Sequence, residues 1–489
     1  MTTPPDYLTG QRRAKLDQLT RLGIDPYPHS YHRTHTAGEA VSLFKAGKQP
    51  EEVSLAGRIT AIRSMGKASF MDVRDGSGKI QLYLRRDLLG EDRYSVIRNL
   101  LDISDFIGAA GKLFQTATGE ITLEVRDFAV LAKSLNPLPE KWHGLVDVEK
   151  RYRQRYLDLI SNEETRRIFA ARSLIISAMR QFLNERGFVE VETPVLQPSP
   201  GGAMARPFVT HHHALGQDLY LRIALELYLK RLIIGGFDRV YEIGRVFRNE
   251  GISTRHNPEF TMLEAYQAYA DYEDVMRLVE EMLPHLAREV CGTTQLEVAG
   301  TTISLEPPWP RLPLEKAIKD FAGIELRLHP DAGSLRLEMS RQNIEADPDK
   351  DRGKLIDDLI TTSVAPRLIQ PTFLTDYPVE TTPLAKAKRG DSTLVERFEL
   401  FIHGIEVANA FSELNDPVEQ RRRFQHQADK AQADGEIEVI DEEFLQAMEC
   451  GMPPCGGLGL GIDRLVMMLT GQQSIREVIL FPQLKTREG

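Results

Sequence analysis

The chain has 489 residues, 42% hydrophobic and 27% charged, with a formal net charge of −10. That length exceeds one ordinary core and requires two or more domains, and the composition is that of an ordinary globular protein. The polar, mixed-charge start (residues 1–31) and the lack of any run of membrane-spanning length set aside export and membrane insertion and predict a cytoplasmic protein. Residues 1–145 carry 20 Lys and Arg against 17 Asp and Glu, leaving −13 for the remainder. Any RNA affinity therefore rests on local patches and not on the bulk field.

In chain order, Asp6 to Leu22 reads as a weak amphipathic helix on Leu8, Leu16, Leu19 and Leu22, closed by Gly23 and Pro26. Its Arg12, Arg13, Lys15 and Arg21 suit an RNA backbone or a solvated face equally. From Val53 to Val130 the pattern becomes short alternating strands: Val53–Ile62, Ala68–Arg74, Lys79–Arg86, a helical piece, then Ile107–Leu113 and Glu120–Val130. Asp75-Gly76-Ser77-Gly78 and Thr118-Gly119 supply turns. Five strands with a helix between the third and fourth predict an OB-fold barrel, a frequent binder of single-stranded nucleic acid. Leu135-Asn136-Pro137-Leu138-Pro139 marks a linker, and the basic, aromatic run Arg151 to Leu157 suits RNA or packing.

Ser161-Asn-Glu-Glu164 has the form of a capping box opening a helix with Ile168, Ala171, Ile175, Ala178 and Phe182 on one stripe, ending at Gly187. An alternating strand, Phe188 to Leu196, follows, broken at Pro194. His211-His212-His213 invites a metal reading, but consecutive side chains on an extended chain point to opposite faces and cannot all converge on one ion.

The stretch Phe247 to Tyr266, between two strand-like runs, sets Arg248, Arg255 and His256 beside Glu250, Glu264 and Phe260. An arginine fork matches phosphate or carboxylate, a carboxylate accepts from an ammonium or exocyclic amine, and a phenyl ring stacks on a purine. A solvated hairpin with surface ion pairs is the plainer alternative. Residues 271–345 show helical periodicity interrupted by Pro307-Pro308-Trp309-Pro310, with no assignable motif up to about 375.

Alternation on both sides of His403-Gly404 predicts a two-residue hairpin pairing Ile402 with Ile405, which sets Glu399 opposite Ala408 and Glu406 one diagonal step away. Two carboxylates so placed can share magnesium ions that also hold phosphate oxygens. Asn409, Phe411 and Glu413 then fall on the opposite face from Glu406, unless a bulge intervenes near Val407–Ala408. Gly456-Gly-Leu-Gly-Leu-Gly-Ile-Asp-Arg-Leu465 reads as a strand entering a helix, its glycines letting backbone approach a flat base and Arg464 reaching phosphate. The three cysteines, Cys291, Cys450 and Cys455, form no Cys-x-x-Cys pair and suggest neither zinc nor disulfides but reduced, small apolar residues.

These runs together resemble the class II aminoacyl-tRNA synthetases, most closely the lysyl family. Phe247 to Tyr266 is similar to motif 2, the helix and strand at 161–196 to motif 1, Gly456 to Leu465 to motif 3, and Met-Gly-Lys-Ala-Ser-Phe70 with Gly-Lys-Ile-Gln81-Leu-Tyr to the anticodon-binding barrel. The resemblance covers about residue 50 to Lys485. It implies an α+β protein: an N-terminal extension (1–50), an OB-fold anticodon-binding domain (51–145) and a class II catalytic domain of antiparallel sheet flanked by helices (146–489), with a helical insertion at 301–375.

It further implies ATP-dependent joining of L-lysine to the 3′ end of tRNA(Lys) through a lysyl-adenylate, by a homodimer using Mg2+. ATP falls to Arg248, Glu250, Arg255, His256, Asn257, Phe260, Glu399, Glu406 and Arg464, with Arg248 and Arg464 catalytic and Glu399 and Glu406 holding metal. Lysine falls to Gly202, Glu226, Arg248, Glu264, Tyr266, Asn409, Phe411 and Glu413, and the anticodon to Phe70 and Gln81. Ala224-Leu225-Glu226 departs from the family, where proline often precedes that glutamate. Phe70 also fits plain barrel core. An aspartyl or asparaginyl enzyme, a ligase that attaches lysine to a translation factor, and a non-catalytic tRNA-binding paralogue are the competing readings. The last two are opposed by the barrel pattern at 53–130 and by the presence of Arg248, Glu406 and Arg464.

Overall fold

A computed structural model describes residues 5–48, 50–138, 145, 147–203, 205–433 and 440–485. Pro139, the end of the expected linker, and Val146, the expected start of the catalytic domain, lie outside them. The chain divides into two compact units after Gly144. No helix among the described residues is long and apolar enough to cross a membrane.

The first unit is a closed five-stranded barrel in the order Val53–Met65, Ala68–Arg74, Lys79–Arg85, Ile121–Ala132, Phe106–Gln115. The expected strands are all present, some longer than anticipated, with helices Arg86–Leu89 and Glu91–Asn99 between the third and fourth. Alternation does the work: Val53, Leu55, Ile59, Met71, Val73, Ile80, Leu82 and Leu84 point inward, and the N-terminal helix Pro5–Arg21 adds Leu19 to the same core. Arg12 donates to Ser134 O and Ile103 O, so this expected RNA-contacting residue is held within the unit. Gly111 sits at a register shift, where a Cβ would lie 1.9 Å from Glu124 O. Gly111→Ala is expected to destabilise the barrel by about 1–3 kcal/mol, seen as a lower thermal midpoint by circular dichroism with amino acid activation retained.

The second unit is built on one sheet ordered Arg311–Pro313, Thr372–Pro378, Asp391–Ile402, Ile405–Ser412, Cys455–Gly461, Glu259–Ala268, Arg239–Phe247, Val189–Glu190, with Ala387–Lys388 added beside Asp391–Ile402. Its pairings are antiparallel except at the two outer edges. One face is dry. Tyr241, Leu263, Ala265, Phe398, Leu400, Ala408, Ala410, Leu458 and Leu460 pack there with the helices Glu163–Glu185, Tyr272–Cys291 and Ile462–Leu469. The period of two then sends Phe260, Glu264, Tyr266, Arg397, Glu399, Phe401, Gly457 and Gly459 to the other face.

Several expectations need correction. The long helix is capped by Asn162, whose side chain accepts from the Glu164 N–H, and not by a box on Ser161, which ends the preceding helix. Of the strand Phe188–Leu196 only Val189–Glu190 pairs with the main sheet, because Pro194 interrupts the run and Leu196–Gln197 joins a separate small sheet. Residues 301–375 are not merely helical: besides the helices Leu314–Ala322, Ala332–Arg341 and Arg352–Leu359 they supply Arg311–Pro313 and part of Thr372–Pro378 to the sheet edge. Of the cysteines only Cys455 is core; Cys291 and Cys450 are exposed at helix ends.

Candidate active site

The polar face of the sheet is the floor of one cavity of about 1670 Å³, lined at once by Arg248 and Glu413. Two adjoining strands, Arg239–Phe247 and Glu259–Ala268, pair without a slip from Arg239–Gln267 to Phe247–Glu259. The loop between them is thereby held rigidly at both ends. The Arg248 N–H donates to Pro258 O at 2.8 Å, closing it.

At the arginine-rich end the Arg248 guanidinium lies 5.2 Å over the Phe260 ring and its Nε donates to Ile223 O. Among the described residues its side chain donates through Nε and not through its Nη nitrogens. Burial works against its charge, so an anion in the cavity would relieve it. Arg464, in the first turn of Ile462–Leu469, donates to Glu406 O at 2.8 Å and to Glu406 Oε2 at 3.1 Å, and its Nη2 lies 3.3 Å from His256 Nε2. An arginine only donates, so His256 Nε2 accepts and its Nδ1–H faces Ser253 Oγ at 2.9 Å. Burial and Arg464 both pull the imidazole below its ordinary value and keep it neutral. Arg255 and Glu250 are exposed on the loop, and Arg255 reaches Gly404 O. Asn257 presents little to a ligand: its Nδ2 donates to Glu259 O and its Oδ1 accepts from the Gln483 N–H, so it clamps the loop's return.

The hairpin turns at His403-Gly404, both at positive φ, and pairs Ile402 with Ile405 as expected. The register then slips: Phe401 faces Glu406 while Leu400 faces Ala408, leaving Val407 as the extra residue. This is the bulge that parity required. It also corrects one placement, since Glu399 faces Asn409 and not Ala408. Glu399 accepts from Tyr377 Oη at 2.8 Å and Arg397 Nη2 at 2.6 Å. Burial and the nearby Glu406 and Asp357 nevertheless push it up to about 7 against the pull of Arg397. Each oxygen keeps a free lone pair, and the site is short of positive charge. Glu399 and Glu406, lining one cavity with room for phosphate, fit a magnesium ion, which takes a few carboxylates and completes its shell with water and phosphate.

At the far end Glu226, Glu264, Tyr266, Phe411 and Glu413 converge. Glu264 accepts from the Leu225 N–H at 2.9 Å and Tyr266 Oη at 3.1 Å. Burial and Glu226 push it up to about 7. Glu413 is 1% exposed; burial, opposed by Lys230, pushes it above the carboxylate range. Asn409 accepts from Arg397 Nε at 3.1 Å. Gly202 lies at positive φ with its Cα hydrogen against Ala224 and Glu226, where a Cβ would come within 3.1 Å and 3.3 Å of their side chains. The absent proline before Glu226 leaves the helix start intact, since Glu226–Ile234 begins at that glutamate.

On the barrel, Phe70 stands on the outer face, half-buried, between the inward Ser69 and Met71. It is not core. Its ring stacks on Tyr83 at 4.7 Å, and Tyr83 lies 5.9 Å from Phe114. Gln81 uses its Oε1 to accept from Thr122 Oγ1. Of the histidine run, His211 and His212 end an exposed strand and His213 begins the turn after it, with His211 bonded to Asp218.

Sequence reasoning passed over four groups here. Arg397 orients both Glu399 and Asn409, and its only signal is its position two residues before Glu399. Tyr83 and Phe114 extend the Phe70 platform. Lys230 is buried among the acids. Asp463 accepts from Arg172 Nη1 at 2.6 Å and from the Thr261 N–H at 2.7 Å, while Arg172 Nη2 donates to Thr261 Oγ1 at 3.0 Å. One carboxylate thus ties the long helix, the strand bearing Phe260 and the helix bearing Arg464.

Comparison with known proteins agrees with this geometry. Residues 147–485 match the tRNA synthetases class II (D, K and N), and residues 53–131 match the OB-fold nucleic acid binding domain. The chain is similar to a lysine–tRNA ligase of Dehalococcoides mccartyi, 57% identical over 492 residues and 99% of each chain. A lysine–tRNA ligase of Moorella thermoacetica is 54% identical over 98% of each chain, and one of Oceanobacillus iheyensis is 48% identical over 97% of this chain and 98% of its own. With its barrel, its two-ended cavity and identity of this order across its length, the chain belongs to the class II tRNA synthetases, in the family of the lysine–tRNA ligases.

Proposed function

We propose that this protein joins L-lysine to the 3′ end of tRNA(Lys) at the expense of ATP, acting in the cytoplasm as a homodimer. The observation that carries the reading is the single cavity with arginines at one end and buried carboxylates at the other. A dication with one carboxylate and a polyanion fit it side by side. An aspartyl or asparaginyl substrate would meet three carboxylates where it needs a cation or a neutral partner.

The lysine carboxylate attacks the α-phosphate in line and expels pyrophosphate; a terminal ribose hydroxyl of tRNA then attacks the adenylate carbonyl, gives up its proton and expels AMP. No protein nucleophile takes part, and positioning with charge neutralisation supplies the rate. Arg248 bridges the lysine carboxylate and α-phosphate, and Phe260 stacks on adenine, whose amine Glu250 accepts. Arg255 and Arg464 take the terminal phosphates, with His256 beside them holding Arg464 through its Nε2. Glu399 and Glu406 hold Mg2+, which when bound offsets phosphate charge. Glu413 and Tyr266 take the ε-ammonium, Glu226 and Glu264 the α-ammonium, with Gly202, Asn409 and Phe411 lining the amino acid. In this reading residues 51–145 bind the anticodon, 1–50 extend that domain, and 146–489 carry catalysis.

ATP–pyrophosphate exchange with each standard amino acid tests this directly: only L-lysine should support it, and exchange with aspartate or asparagine instead would refute it. Phe70→Ala and Gln81→Ala are expected to raise KM for tRNA by about 10-fold or more, with lysine-dependent exchange unchanged. Equal loss in both assays would remove the anticodon role.

A further inference from the structure

The amino acid end contains a fourth charged group that the assignment above leaves unused. Lys230, one helical turn after Glu226, is wholly buried. Its ammonium donates to Glu226 Oε1 and pairs with Glu413 Oε2, with the Phe411 ring 5.8 Å away. Glu264 and Tyr266 face the same cluster from the strand Glu259–Ala268, and Cys455 from the strand Cys455–Gly461. Arg248 acts on it from the nucleotide end. An internal ammonium in such a place is tolerated only because carboxylates surround it.

Neither Glu413 oxygen has a well-formed hydrogen bond among the described residues, but Oε2 is ion-paired with Lys230 whereas the buried Oε1 has no partner of either kind. It lies over the bare backbone of Gly457, where a Cβ would fall 1.8 Å from it and 2.7 Å from Tyr266 Cε1. One oxygen of Glu413 is therefore claimed by the protein and the other is held in reserve. The charge count points the same way: with all three carboxyls ionised, they and one ammonium leave two negative charges, and L-lysine brings two ammonium groups.

We propose that Lys230 is a positioning residue for amino acid selection, one that claims a single oxygen of Glu413 and of Glu226, turns the free Glu413 oxygen to the substrate, and sets the pocket's charge to match a diammonium ligand. This deepens the reading in which Glu413 receives the ε-ammonium and rests on it. Without Lys230 the carboxyls lose the cation that favours their ionised form, so they ionise only at higher pH. Lysine binding needs them ionised. The pH above which lysine KM levels off must then rise.

The test is lysine-dependent exchange by Lys230→Met in the full chain, from pH 6 to 9. KM for lysine should rise about 30-fold at pH 7, the break in its pH profile should move up by about one unit or more, and KM for ATP should stay within about twofold. An unchanged lysine KM, or a rise with the break unmoved, overturns the proposal. If this variant shows no cooperative melt, Lys230→Gln, which keeps a donor without charge, takes its place; failure of both to melt cooperatively makes the residue purely structural and equally ends the proposal. Glu413→Gln run in parallel separates the two readings: if it also leaves lysine KM alone, the ε-ammonium assignment has failed, whereas silence of the Lys230 variants alone removes only the role given to Lys230.

Discussion

Glu413→Gln is expected to lower kcat/KM for lysine in ATP–pyrophosphate exchange by about 10³-fold, ~4 kcal/mol, the range for removing one partner of a buried ion pair. The side chain is 1% exposed and its free oxygen has no alternative partner. An amide there offers one carbonyl and no charge to an ammonium already stripped of water. KM for ATP should hardly move, because the arginines assigned to the nucleotide line the cavity's other end. Exchange within about threefold of the parent would show that the ε-ammonium is held elsewhere.

Arg248→Ala should lower kcat for adenylate formation by about 10³-fold, the scale seen when a preorganised donor to a developing charge is lost. The guanidinium is fixed by its contact to Ile223 O and its stacking on Phe260, and its outer nitrogens are left for ligand. Arg248→Lys should recover little, since a point charge cannot give two parallel bonds to phosphate and carboxylate together. Single-turnover formation of the adenylate measures both. Recovery to within about tenfold by lysine would mean that charge alone suffices and the fork geometry does not matter.

What could be read from the residues in advance was whatever depends on near neighbours. Period-two alternation with glycine turns located the barrel strands, and His403-Gly404 located the hairpin. Parity even required the bulge: Glu406 and Asn409 can serve one pocket only if a residue is inserted between them, and Val407 is that residue. What the bulge did to the register was not foreseen, because counting back from the turn assumes an unbroken ladder. The strand expected at Phe188–Leu196 failed for a related reason: alternation scores side chains, whereas a sheet also needs N–H groups and a free edge, which Pro194 and the small sheet deny it. Arg397, Lys230 and Asp463 were invisible because a buried charge has no sequence signature apart from its partner. For Asp463 and Arg172 that partner is 291 positions away.

The carboxylate of Asp463 also has a mechanical consequence. It fastens the long helix Glu163–Glu185 to the peptide of Thr261, the immediate neighbour of Phe260. The helix and the Phe260 ring are thus two arms of one lever with a short, stiff pivot. Strain placed on that helix would therefore reach the Phe260 ring through a single carboxylate, without any change in the groups that line the pocket.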